Sequence, residues 1–144
     1  MPAAKSAKKK TLSPKRTMKA DFVPVFSALR KILEPFGDRL AVQADKPGNY
    51  HLENRSILHR GKPLYFAGVR SNKNYVSFYL MSMYYNAAAV KSLSPALRKR
   101  MQGKACFNFT ALDQECFAEL GRLAEAGIKR FSTPEFQQMI QRMQ

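Results

Sequence analysis

Residues 62–81 read KPLYFAGVRSNKNYVSFYLM. Two runs inside this stretch, Pro63–Arg70 and Tyr75–Met81, are dense in aromatic and β-branched side chains, the composition of strands. The polar link between them, Ser71-Asn-Lys-Asn74, predicts a hairpin connection. Within the second run, Val76, Phe78 and Leu80 alternate with Tyr75, Ser77, Tyr79 and Met81. A period of two puts the first set on a dry core face. The second set belongs on a half-wet face, because a buried phenol needs a partner for its hydroxyl.

Toward the N-terminus, Leu40–Gln43 is a short strand candidate and Asp45-Lys-Pro-Gly-Asn49 a turn. Tyr50–Ile57 is a mixed segment, and His59-Arg-Gly-Lys62 is another turn. Before these, Phe22, Val23, Phe26, Leu29, Ile32 and Leu33 recur at steps of three and four, the spacing of an amphipathic helix. Asp21 is expected to cap it, Pro24 falls in its first turn, and Pro35 and Gly37 end it. Toward the C-terminus, residues 82–92 fit a loop or a helix. Ser94-Pro95 opens a short helix through Leu97 to Met101, closed by Gly103. Ala105–Thr110 is a strand with Phe107 and Phe109 on one side. Asp113 caps a helix whose stripe is Phe117, Leu120, Leu123 and Ala124, with its stop expected at Gly127. Thr133-Pro134 opens a last helix bearing Phe136, Met139, Ile140 and Met143. Strands gather in mid-chain instead of alternating with helices. That order predicts the α+β class, with an antiparallel or mixed sheet, helices on one of its faces and short helices at both ends.

Composition bounds the function. The chain has 144 residues, 45% of them hydrophobic and 10 of them Phe, enough for one core. No stretch approaches the ~18 consecutive apolar residues of a membrane span. From length and hydropathy together, neither a helical membrane-spanning protein nor a multidomain enzyme is expected. Charge is the outlier, at 25 Lys and Arg against 10 Asp and Glu, a formal +15. Residues 1–19 carry Lys5, Lys8, Lys9, Lys10, Lys15, Arg16 and Lys19 with no acid and few large apolar side chains, the pattern of a disordered basic tail. Residues 20–144 form a single domain that keeps 18 cations against 10 acids. Such an excess speaks to anionic partners and not to fold.

Chemistry-bearing motifs are sparse. Cys106 and Cys116, ten residues apart, match neither a redox pair nor a zinc knuckle, and read as reduced core thiols suited to the cytoplasm. No apolar region follows the charged N-terminus in the manner of a secretory signal. His51 and His59, separated by an expected turn, lack a third ligand and read as surface or turn histidines. Neither glycine-rich nucleotide motif occurs, and no Ser–His–acid or Cys–His spacing assembles a nucleophile, so an enzyme is not expected. Two groups stand out for binding. Tyr65, Tyr75, Tyr79, Tyr84 and Tyr85 offer flat rings with polar tips, suited to stacking bases or other ring-shaped ligands. Arg98, Lys99, Arg100 and Lys104 are a basic run suited to phosphates. The expectation is a non-catalytic binding module for anionic partners such as nucleic acid, without a cofactor, held in large part by the tail's cations. A small-ligand pocket beside the tyrosines is a further possibility. Nothing in the residues sets an oligomeric state.

The hairpin KPLYFAGVRSNKNYVSFYLM (62–81), followed by GKACFNFTALDQECFAELGRLAEAGIKRF (103–131), resembles the YdhG-like domain of unknown function across roughly residues 20–131. The resemblance rests on an aliphatic-aromatic strand, a basic turn and an aromatic strand. A short helix, a GK-small-x-F-x-F segment, a Leu-Asp cap and a helix complete it. It implies an α+β fold with a curved antiparallel sheet flanked by helices. One branch of that family is described as a bacterial frataxin-like iron chaperone serving iron–sulfur cluster assembly. The iron carrier is thus the alternative function, and Asp113, Glu115 and Glu119 are the only acids near enough in sequence to hold the metal. Read from the residues alone, Asp113 is a helix cap and the two glutamates are solvated charges on a helix face.

Overall fold

A computed structural model describes residues 19–143. Six strands form one antiparallel sheet in the order β1-β2-β3-β4-β6-β5. They are β1 (Ala41–Lys46), β2 (Asn49–His59), β3 (Lys62–Ser71), β4 (Val76–Leu80), β5 (Met101–Gln102) and β6 (Cys106–Phe109). Five helices, α1 (Val23–Leu33), α2 (Ala87–Lys91), α3 (Pro95–Arg98), α4 (Gln114–Phe131) and α5 (Pro134–Arg142), complete the α+β fold. The sheet is not closed, and the helices stand on one of its faces.

Both expected strands of 62–81 form and pair antiparallel, from Ala67 opposite Leu80 to Ser71 opposite Val76. Asn72 donates its backbone N–H to the Tyr75 carbonyl at 2.8 Å and closes the hairpin. Val76, Phe78 and Leu80 are all fully buried, as the alternation requires. The His59–Lys62 turn is tight, because Arg60 (φ 55°) and Gly61 (φ 81°) are both left-handed, the geometry that matches the twist of a two-residue hairpin. The neighbouring segment is more regular than expected. Ala41–Gln43 of the expected strand, Ala44 and the first residues of the Asp45–Asn49 turn become β1, which runs to Lys46, and the mixed segment becomes part of the eleven-residue β2. Backbone pairing with β3 orders β2 despite its polar composition. Irregularities between Leu52 and Glu53 and between Asn54 and Leu58 break the ladder and add curvature.

The core lies between this sheet and α1, α4 and α5. Phe66 is its centre, meeting Phe36 at 6.1 Å and Phe131 at 5.5 Å, and Phe131 stacks on Phe136 at 4.3 Å. Burying each such ring stabilises the fold by about 1.5–3 kcal/mol. Arg30 on α1 lies 4.3 Å over the Tyr50 ring and donates to Glu34 and Asp45, clipping α1 to the sheet. The pair lowers the Asp45 carboxyl pKa through that hydrogen bond and raises that of Arg30.

Three caps form as the sequence indicates. Ser94 accepts from Leu97 N, Asp113 from Cys116 N and Thr133 from Phe136 N. Other boundaries differ. Asp21 makes no capping hydrogen bond, because a 3-10 turn over Ala20–Phe22 precedes α1 and makes Phe22 its N-cap residue. Residues 82–92 resolve into a 3-10 turn, Met81–Tyr85, and then α2. Met101 leaves the short helix and pairs with Phe107 as β5. Gly127 does not stop α4, which continues to Phe131. Its role is close packing: a Cβ there would lie 2.8 Å from the Ser82 Cβ, so the missing side chain lets the 3-10 turn rest against α4. No described helix is long and apolar enough to cross a membrane.

Candidate functional site

The sheet face opposite the helices carries the second set of every alternation. His51 on β2 pairs with Gly68 on β3, Gly68 with Tyr79 on β4, and Tyr79 with Cys106 on β6. One row across four strands therefore reads His51, Gly68, Tyr79, Cys106. An adjacent row reads Asn49, Arg70, Ser77, Asn108. Tyr65 pairs with Glu53 one step along and extends its phenol over Gly68, where its hydroxyl fills the space a side chain at 68 would take. The His51 ring lies 5.3 Å from that of Tyr65 and 6.4 Å from that of Tyr79.

A polar network runs beside the rings. Ser77, almost fully buried, donates its hydroxyl to Asn108 Oδ1 at 2.6 Å and accepts from Asn72 Nδ2 at 2.9 Å. Cys106 Sγ lies 3.4 Å from the same Asn108 oxygen. Three polar atoms are left out: Asn49 Oδ1, His51 Nε2 and Tyr65 Oη are buried with no hydrogen-bond partner among the described residues. A buried unsatisfied group of this kind costs about 1–3 kcal/mol, and all three stand on this one face. Burial, and after it the charge of Arg70, holds the His51 imidazole below its ordinary pKa. Burial pushes the Tyr65 phenol well above its usual range. Burial also raises the Cys106 thiol, partly offset by the neighbouring Ser77 and Tyr79 hydroxyls.

The charges around the face are unequal. Arg70 is exposed and has no acidic partner among the described residues, whereas Glu53 is held by Arg55 at 3.2 Å. Elsewhere Glu34 and Asp45 pair with Arg30, and Glu125 with Arg39 at 3.9 Å. Four of the ten acids are thus held in ion pairs.

The expected tyrosine group divides. Tyr65 and Tyr79 meet around His51. Tyr75 shares their face by alternation but stands at the head of β4. Tyr84 and Tyr85 lie elsewhere, in the 3-10 turn, where Tyr85 packs edge-on against Phe136 at 5.4 Å and against Tyr84 at 5.2 Å. The basic run divides as well. Arg98 donates to the Val90 and Lys91 carbonyls and caps α2. Arg100 lies 6.0 Å from the Phe109 ring, Lys104 lies 5.3 Å over Tyr84, and Lys99 is exposed. Of the tail cations, Lys19 lies 5.4 Å over Phe22. Lys5, Lys8, Lys9, Lys10, Lys15 and Arg16 lie outside the described residues.

The residues of the iron alternative have separate tasks. Asp113 caps α4, Glu119 accepts from the Ser94 N–H at 2.9 Å and from its hydroxyl at 2.6 Å, and Glu115 is exposed. Among the described residues no three of His, Cys, Asp and Glu gather as a metal site. His51 and His59 are not joined across a turn. Both lie on β2, eight residues and roughly 26 Å apart at strand spacing. Cys106 and Cys116 are free thiols, the latter buried and pushed up to about 11 by burial and by Asp113.

A concavity of about 370 Å³ lies between the β2–β3 turn and α5 and is lined by Ser56, Ile57, Leu58, Gly61, Gln137 and Gln141. It holds no charged side chain. His51 is the functional candidate that sequence reasoning missed. The available signal was its place in the alternation Tyr50, His51, Leu52 of β2, which sets it opposite two core residues. No family model, curated protein or solved structure matches this chain.

Proposed function

We propose that this protein is a non-catalytic binding domain for single-stranded nucleic acid, which it takes across the sheet face opposite its helices. The observation that carries the reading is the gathering of His51, Tyr65 and Tyr79 on that face beside the unpaired charge of Arg70. Rings on an open sheet stack bases without regard to sequence, and cations beside them hold phosphates. The formal charge of +15 supplies the long-range attraction. A duplex keeps its bases stacked inside, so rings on a sheet favour a single strand. Tyr84 with Lys104, and the exposed Lys99, extend the cationic surface away from the face without sharing it.

Fluorescence anisotropy of a labelled single-stranded oligonucleotide tests the proposal. Replacing Tyr79 by Ala should weaken binding by about 1–3 kcal/mol, the worth of one stacked base. Replacing Arg70 by Gln should weaken it and flatten the salt dependence by about 0.7 in log–log slope, the share of one single-strand phosphate contact. Equal affinity in both variants and the wild type sinks the proposal.

A further inference from the structure

We propose that the gap over Gly68 is a slot for one nucleobase and that the Tyr65 phenol is its displaceable occupant. The inference rests on the nucleic-acid reading and deepens it by naming what enters the face. Three observations support it. First, Gly68 interrupts a row of side chains. It stands between His51 and Tyr79, and lacking a side chain it leaves the floor between their rings as bare backbone. Second, the centroids of those rings come within 6.4 Å of one another across it, with the ring planes tilted by 38°. A planar ring stacked between them needs near-parallel faces about 7 Å apart, two contacts of about 3.5 Å, so His51 and Tyr79 have to turn toward parallel as well as part. Third, the present occupant fits its place poorly. Among the described residues the Tyr65 hydroxyl, which ends over Gly68, has no hydrogen-bond partner, and neither His51 Nε2 beside it nor Asn49 Oδ1 on the same strand face has one.

A group packed against itself in this way is apolar enough to stay closed and polar enough to be displaced. If Tyr65 swings out, its hydroxyl reaches water. A base entering in its place stacks on His51 and Tyr79 and offers ring nitrogens and exocyclic groups to the two orphaned atoms that remain. Asn49 Oδ1 accepts only, so the matching base edge donates there: an exocyclic amine, as in adenine or cytosine. His51 Nε2 takes a donor or an acceptor according to its tautomer. The ligand class is therefore a planar, amine-bearing heterocycle, with a nucleobase of a single strand as its natural source.

Adenosine is the probe, because it has no phosphate and separates the slot from electrostatics. It is titrated into the full chain while the aromatic resonances of His51 and Tyr79 are followed by NMR. The expected result is an upfield shift of both in the wild type. Tyr65→Ala should bind adenosine at least tenfold more tightly, since the competing ring is gone, and Tyr79→Leu should lose the shift at His51. Unmoved resonances in the wild type overturn the slot, a result that does not depend on any variant folding. Weaker adenosine binding by a folded Tyr65→Ala also overturns it, since Tyr65 is then part of the platform and not its occupant. A labelled oligonucleotide measured alongside separates the two claims. Oligonucleotide binding without adenosine binding sinks the slot alone, and absence of both sinks the nucleic-acid reading with it.

Discussion

The imidazole of His51 and the phenol of Tyr65 lie 5.3 Å apart on the sheet face opposite the helices, and neither His51 Nε2 nor Tyr65 Oη has a hydrogen-bond partner among the described residues. Packing that leaves two such atoms without a protein partner costs stability that the surrounding sheet has to supply. The pair therefore marks the place where the fold gives up stability and where a partner would restore it.

Tyr65→Phe should stabilise the free protein. The variant keeps the ring over Gly68 and removes the stranded hydroxyl, so about 1 kcal/mol is gained and the thermal midpoint rises by a few degrees. Scanning calorimetry reads it. A lower midpoint contradicts the view that this hydroxyl is unsatisfied.

His51 gives the fold an acid limb. Its folded pKa lies below the unfolded value of about 6.5, because burial and Arg70 disfavour the cation. Between these two values the unfolded chain binds more protons, so stability is fully present above pH 6.5 and declines as the pH falls below it. His51→Phe should flatten this part of the curve in urea titrations at successive pH values. An unchanged acid limb assigns the decline to other groups.

Gly127 should resist the substitution that stabilises most helix interiors. Gly→Ala ordinarily gains up to ~1 kcal/mol in a helix. Here the new methyl meets Ser82, whose Cβ is 2.8 Å from its position, so a loss of about 1–3 kcal/mol is expected from overpacking. Adding Ser82→Gly should recover most of it. Denaturant midpoints of the single and double variants decide the matter.

Much of the fold was legible because local pattern and tertiary outcome agree. The alternation of Val76, Phe78 and Leu80 places all three in the core, and Ser94, Asp113 and Thr133 cap as their positions indicate. Where the reading failed, distance in the chain is the reason. A glycine that ends a helix and one that admits a neighbour look alike until Ser82, 45 positions earlier, is seen against Gly127. β2 is ordered by pairing with β3 and not by its own composition, which also hid the meeting of His51 with Tyr65. The five tyrosines and the basic run divide for a similar reason. Residues close in sequence, such as Arg98 and Lys104, diverge once Arg98 turns back to cap α2.

Arg98 and Lys99 should therefore separate in their effects. Arg98→Ala removes two hydrogen bonds to the end of α2 and should lower stability by about 1 kcal/mol with a small effect on nucleic-acid binding. Lys99→Ala, on an exposed side chain, should leave stability within about 0.5 kcal/mol of the wild type. Thermal melts and anisotropy titrations of the two variants make the comparison.

The measurement closest to the central claim is the affinity of the full chain for a single-stranded oligonucleotide across a series of salt concentrations. Seven tail cations on phosphates give a slope of about −5 in log K against log salt, and contacts on the sheet face steepen it further. Tight binding at low salt with a slope of this order is the predicted result. No binding at low salt, or an affinity indifferent to salt, contradicts the account.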